Sequence, residues 1–229
     1  MTPIDKISFV LPCDKDRLPL FLKTLAKYKQ YGNLEGTEFI IPTRTLGNRE
    51  VGVPGINIRT VSYQWSGEFN PSMGLNAGVS ATSFDNIIIG SPEVIPLMDV
   101  VGELRKLERG NYVCQVFDIG VDGQRTISLV NKNMRGENPG MYFLAMFRKE
   151  DLLAINGWDE EFMGGCGWED NDFGERFVRS GAKFEILEEI QAEHQYHQRI
   201  YLNLLRNKAI CEKNRAEGLG RCKNGIVKE

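Results

Sequence analysis

Several absences narrow the chemistry open to this chain. No CxxC pair occurs, and the five cysteines (Cys13, Cys114, Cys166, Cys211 and Cys222) are odd in number and scattered. That argues against a zinc site built on cysteines and for a reducing compartment. No apolar run is long enough to span a bilayer, and the opening MTPIDKISFV lacks a signal-peptide pattern. A soluble, cytoplasmic protein is therefore expected. Neither sign of charge dominates: 28 basic residues face 31 acidic ones, for a net charge of -3. Nothing in that balance calls for a nucleic acid or a membrane surface. Repeats, low-complexity runs and long linkers are missing too. Histidine is scarce, with only His194 and His197 in the whole chain.

What is present reads as an ordinary globular domain, since 41% of the residues are hydrophobic and can fill a core. Residues 7–11 (ISFVL) form a short apolar run closed by Pro12, which predicts a buried strand. Asp16 is placed to cap the helix that follows, with Pro19 in its first turn. Residues 38–41 predict a second strand stopped by Pro42, and residues 56–61 a third, half-buried one. Residues 71–82 (PSMGLNAGVSAT) read as a helix whose two glycines let another group come close. Residues 86–89 (NIII) are the most clearly buried strand, and residues 94–107 look like one amphipathic helix. Strands are expected at 112–119 and 125–131 around a Gly120–Gly123 turn, at 142–147, and finally at 183–187. Helices are expected at 149–155, from the acid cluster to about Ser180, and at 200–217. Alternating strands and helices predict an α/β domain, and ligands then sit at the carboxyl ends of its parallel strands.

The densest chemistry lies in GGCGWEDNDFGE, residues 164–175. With a helix starting near Glu169, Asp170 shares a stripe with Phe173, Gly174 and Phe177 and points toward the core or a cleft. Asp172 and Arg176 fall four apart on another face, expected at solvent, where they can pair. The helix N-terminus keeps an acid ionised, which suits a general base. A plain helix start explains the acids equally well on helix chemistry alone. A calcium loop fails on spacing, because Glu169 and Asp170 are adjacent and Phe173 falls at a ligand position.

Residues 156–177, NGWDEEFMGGCGWEDNDFGERF, resemble the signature of GT-A glycosyltransferases, most closely glycosyltransferase family 2 and the C-terminal galactosyltransferase-like domain. The shared pattern is G-[WF]-D-E-x-F, a Gly/Trp-rich loop, then E-D-x-D and a helix carrying Arg. The resemblance implies a single GT-A (nucleotide-diphospho-sugar transferase) domain, with a mixed, mainly parallel sheet between helices. About residues 5–135 would hold the nucleotide-sugar and about 136–200 the acceptor, with a C-terminal helix and tail from 200 to 229. It implies inverting transfer from a nucleotide-sugar, a UDP-sugar foremost, to a glycan or other hydroxyl-bearing acceptor. Asp170 would be the base and Glu169 would help hold the acceptor. Tyr142, Trp158, Gly165, Gly167 and Trp168 would border acceptor and sugar, together with the rest of residues 138–142. Pro12, Cys13, Asp14, Arg17, Thr43, Arg44, Asn76, Gly78, Ser91 and Pro92 would line the nucleotide-sugar.

Two departures from that pattern stand out. The family ends its central strand with a metal-holding D-x-D, whereas this chain has NIIIGSPEVIP, with Glu93 as the only acid at the right place. Pro42-Thr43 also stands where an acid often meets the nucleobase. The resemblance implies a late metal-binding histidine, so Glu93 with His194 or His197 would hold Mn²⁺ or Mg²⁺. Imidazole suits Mn²⁺ better. The missing D-x-D also motivates a rival, a nucleotide-sugar or glycan binder without full catalysis. A second rival takes nucleic acid only as an acceptor, through modified DNA bases. Its support is the stretch 206–228, which carries seven basic and two acidic residues, although an exposed charged helix explains that equally.

Overall fold

The computed structural model describes residues 4–64, 70–128, 144–164, 167–197 and 203–227. Tyr142, Gly165 and the 138–142 segment therefore lie outside the described residues. The frame is a mixed sheet in which β1 (Ile7–Val10), β2 (Thr37–Thr43), β3 (Ile58–Ser62) and β4 (Asn86–Gly90) run parallel. Beyond β4 the order continues through β8 (Leu144–Arg148), β6 (Tyr112–Ile119), β9 (Glu185–His194) and β5 (Val94–Pro96). β8 is antiparallel to both its neighbours, and β6 and β9 are parallel. β7 (Arg125–Ile127) hangs on β6 as a hairpin.

β1 and β4 are apolar throughout because helices cover both faces of the sheet. Ile7, Phe9, Ile41 and Ile88 feed one core, beneath α1 (Leu18–Tyr31) and α4 (Val100–Arg105). Val10, Ile40, Ile87 and Ile89 feed the other, with α3 (Pro71–Ser80), α5 (Lys149–Ala154) and α6 (Glu169–Arg179). Asn70 caps α3 by accepting from the Met73 amide at 3.1 Å, and Pro71 opens that helix. A short α2 (Asn48–Val51) follows β2, and α7 (Leu204–Ala216) closes the chain.

Four local expectations change. Pro42 does not stop β2: it lies within the strand, paired in register with Val61. Residues 94–107 are not one helix, because β5 pairs with β9 up to Pro96 and only then does Asp99 cap α4 through the Gly102 amide at 2.9 Å. Asp16 caps nothing. It sits in a 3-10 turn, Lys15–Arg17, and α1 begins without a side-chain cap. The final strand runs to His194 rather than ending at Leu187. Its acids EILEEIQAEH hide the strand pattern, because it is only half buried.

The largest correction concerns Asp172 and Arg176. They do pair, at 2.8 Å, but both are buried rather than at solvent. α7 packs over that face of α6, and the amide of Asn214 donates to the second Asp172 oxygen at 2.8 Å. Arg176 also donates to the carbonyls of Ile155 (3.0 Å) and Gly157 (2.8 Å). Removing one partner strands a buried charge, so Asp172→Ala is expected to cost about 3–5 kcal/mol. The joint Asp172→Leu/Arg176→Met change is expected to cost less. Urea unfolding of the three proteins tests this, and a double mutant less stable than Asp172→Ala would contradict it.

Candidate active site

The carboxyl ends of the parallel strands carry most of the residues expected to hold the nucleotide-sugar. Pro12, Cys13 and Asp14 follow β1, Thr43 and Arg44 end β2, and Ser91, Pro92 and Glu93 follow β4. Asp14 accepts from the Arg44 backbone at 2.8 Å and from its guanidinium at 2.6 Å and 2.5 Å. Thr43 donates to Asp14 at 3.3 Å and accepts from the Leu46 amide at 3.1 Å. These bonds tie the loop after β1 to the carboxyl end of β2. Cys13 is buried beneath it, and desolvation, then the charge of Glu93, raises its thiol well above the usual range. Tyr63, which no sequence motif marked, stands next to this loop, its amide donating to the Thr43 carbonyl at 3.3 Å. Burial, then the charge of Asp14, pushes its hydroxyl up to about 12, so it stays neutral.

Glu93, His194 and His197 meet, with one ligand atom from each lying within 4.8 Å of the others. β5 and β9 bring them together: Val94 is the register partner of His194, and the Glu93 carbonyl accepts from the Gln195 amide at 3.0 Å. His194 Nε2 lies 3.3 Å from His197 Nε2, and that nitrogen lies 3.8 Å from Glu93 Oε1. Arg17 Nε stands 3.2 Å from the same Glu93 oxygen, and the Ser91 hydroxyl bonds the other one. His194 Nδ1 is 3.1 Å from Asp118 Oδ1. Asp118 is a second residue missed from sequence, because it sits on β6, far from any motif. A carboxylate there can accept a hydrogen bond from Nδ1–H, and the other ring nitrogen, Nε2, faces His197. Two imidazole nitrogens and a carboxylate converging in this way fit a divalent transition metal, Mn²⁺ better than Mg²⁺. Both histidines belong to the cluster.

The acid pair sits at the start of α6. Trp168 enters that helix with φ 74°, and Gly167 before it has φ 127°. Glu169 is buried, and its carboxylate accepts from the Gly167 amide at 2.8 Å, so it turns back to hold the loop. Asn207 on α7 holds the other side, donating to the carbonyls of Met163 (3.1 Å) and Gly167 (3.3 Å). Asp170 keeps part of its surface exposed. Desolvation outweighs its bonds to backbone amides and pushes its carboxyl up to about 6. The helix terminus therefore does not hold this acid at its ordinary pKa, although it remains ionised at neutral pH.

Three expected ligand residues serve the core instead. Trp158 is fully buried and stacks on Phe173 at 4.2 Å and 5°. Asn76 spends its side chain on the Trp158 backbone, donating at 2.7 Å and accepting at 2.9 Å, and donates again to Glu160. Gly78 has no room for a side chain, because a Cβ there would lie 2.3 Å from Val10. That glycine lets α3 approach the sheet at Val10 and Pro42. The basic C-terminal stretch is also engaged internally. Arg215 binds Glu175, Lys208 lies 3.6 Å from Glu212, and Arg221 donates to the carbonyls of Leu153 and Ala154. These contacts favour the charged-helix explanation over a phosphate-binding face.

Residues 130–199 match the family model described as the N-terminal domain of galactosyltransferase. The catalytic domain of Drosophila β1,4-galactosyltransferase 7, crystallised with xylobiose, superposes with a TM-score of 0.62 at 14% identity, over 91% of this chain and 80% of that one. An Asp-to-Asn mutant of the same enzyme, in complex with manganese, UDP-Gal and xylobiose, gives 0.60 at 16% identity, over 97% and 83%. A mannosyltransferase from Pyrobaculum calidifontis, in complex with GDP-Man and Mn²⁺, gives 0.59 at 12% identity, over 84% of this chain but only 57% of that one. A comparison with curated proteins gave no match. The chain thus has the GT-A glycosyltransferase fold, and residues 130–199, which carry the acid pair and both histidines, follow the galactosyltransferase pattern.

Proposed function

We propose that this protein is an inverting glycosyltransferase that moves a sugar from a nucleotide-sugar, a UDP-sugar foremost, to a hydroxyl of a glycan acceptor. The observation that carries this reading is the convergence of Glu93, His194 and His197 beside Arg17, at the carboxyl edge of a GT-A sheet. The neighbours crystallised with nucleotide-sugars and manganese support it. A divalent cation held by those three residues would neutralise the diphosphate as the sugar leaves. Arg17 adds a fixed positive charge there. Asp170 takes the acceptor hydroxyl proton as the oxygen–anomeric carbon bond forms and the bond to the diphosphate breaks. Its pKa of about 6 suits this role, since a base works best with a pKa near the working pH. Glu169 and Asn207 fix the loop bearing Gly167 and Trp168, against which the acceptor sugar would lie. With one base and one displacement, the anomeric configuration inverts.

Asp170→Asn is expected to lower kcat about 10²–10⁴-fold and leave nucleotide binding intact. Near wild-type turnover would remove Asp170 from the mechanism. Wild-type transfer should fall as pH drops through about 6, because the base is then protonated. Stability should move the other way. The folded pKa lies above the unfolded one, so this carboxyl contributes stability as pH falls through 6, and that contribution is absent in Asp170→Asn. Comparing melting temperatures of the two proteins from pH 7.5 to 5 tests the sign.

The metal has its own test. Mn²⁺ at about 100 times its dissociation constant should stabilise the protein by about 2.7 kcal/mol, and Glu93→Ala should lose that gain. Equal stabilisation of both proteins would leave Glu93 as the residue before β5 and nothing more. Nucleotide-sugar binding without turnover at any metal would favour a non-catalytic binder.

A further inference from the structure

We infer that Asp118 is a positioning residue for the metal centre, setting which nitrogen His194 presents to the cation. The inference rests on the metal reading above. β6 and β9 run parallel, and a register shift between Cys114 and Gln115 puts Asp118 opposite His194. Across the sheet, β5 pins the same histidine through Val94. The backbone of His194 is thus paired on both sides, and its nearly buried imidazole has Nδ1 at 3.1 Å from Asp118 Oδ1 and Nε2 turned to His197, in the cluster that includes Glu93. A neutral histidine side chain free in water prefers its proton on Nε2. That tautomer would put a proton where the cation must bind. A carboxylate at Nδ1 reverses the preference, frees the Nε2 lone pair and makes it more basic. Glu93 is the one carboxylate among the three converging groups, so a stronger imidazole ligand would strengthen a site with little negative charge of its own. The side chain of Asp118 is itself partly exposed, so it holds this role without the cost of a fully buried charge.

The test uses the full chain, free Mn²⁺ followed by electron paramagnetic resonance, and nitrogen-15 NMR of the imidazoles without metal. Asp118→Ala is expected to weaken Mn²⁺ about 10–100-fold and to move the His194 proton from Nδ1 to Nε2. Asp118→Asn, whose amide oxygen still accepts from Nδ1, should keep the tautomer and bind Mn²⁺ with intermediate affinity. It carries the test if the Ala variant does not fold, and affinity equal to wild type would then count against the role. Mn²⁺ binding that Glu93→Ala removes, but that Asp118→Ala leaves within about twofold with the tautomer unchanged, would overturn this inference alone. No Mn²⁺ binding by the wild-type chain would overturn the metal reading and this inference with it.

Discussion

Arg176 is a fully buried guanidinium, and its ion pair with Asp172 joins three parts of the chain. Asp172, one turn earlier on α6, neutralises it, and the carbonyls of Ile155 and Gly157 take two of its protons. Asn214 on α7 completes the far side of Asp172. A buried ion pair of this kind adds little net stability over an apolar pair, because desolvation consumes most of the attraction. Its consequence is geometric. It sets α6 at one angle against the 155–157 turn and the C-terminal helix, and α6 is the helix that begins with Glu169 and Asp170.

The same corner is tied by polar bonds from other residues. Asn156 adopts φ 62° and holds the tail by donating to the carbonyls of Cys222 and Val227. Asn207 reaches back from α7 to the glycine loop, while the Trp158–Phe173 stack adds about 0.5–1.5 kcal/mol beyond its buried area. The loop that carries Trp168 with a positive φ is thus tied at Met163 and Gly167. Pre-organisation of this kind is what a base needs if it is to meet an acceptor hydroxyl in one geometry.

At the carboxyl edge of the sheet the constraint is charge. Glu93 faces Arg17, two imidazoles and the Ser91 hydroxyl in a nearly closed space. Ser91-Pro92-Glu93 stands where the family pattern has two acids, and the histidines meet the single remaining one. Asp14 is drawn away into its pair with Arg44. Of Asp14 and Glu93, Glu93 is therefore the one turned to the two histidines.

The one-dimensional pattern decided a good deal. Apolar runs at residues 7–11 and 86–89 mark the central parallel strands, since only strands covered on both faces need be apolar throughout. GGCGWEDNDFGERF fixes the helix carrying the acid pair, and the fold follows from the alternation of strands and helices. What local pattern does not encode is which residues from distant segments share a space. Only the tertiary structure buried Asp172 with Arg176, because α7 covers their face. It alone sent Trp158, Asn76 and Gly78 to the core, because the sheet and the 156–160 turn close around them. Asp118 reached His194 only through the pairing of β6 with β9. Helix and strand periodicity is set by neighbours in sequence. Burial, tautomer and pKa are set by neighbours in space.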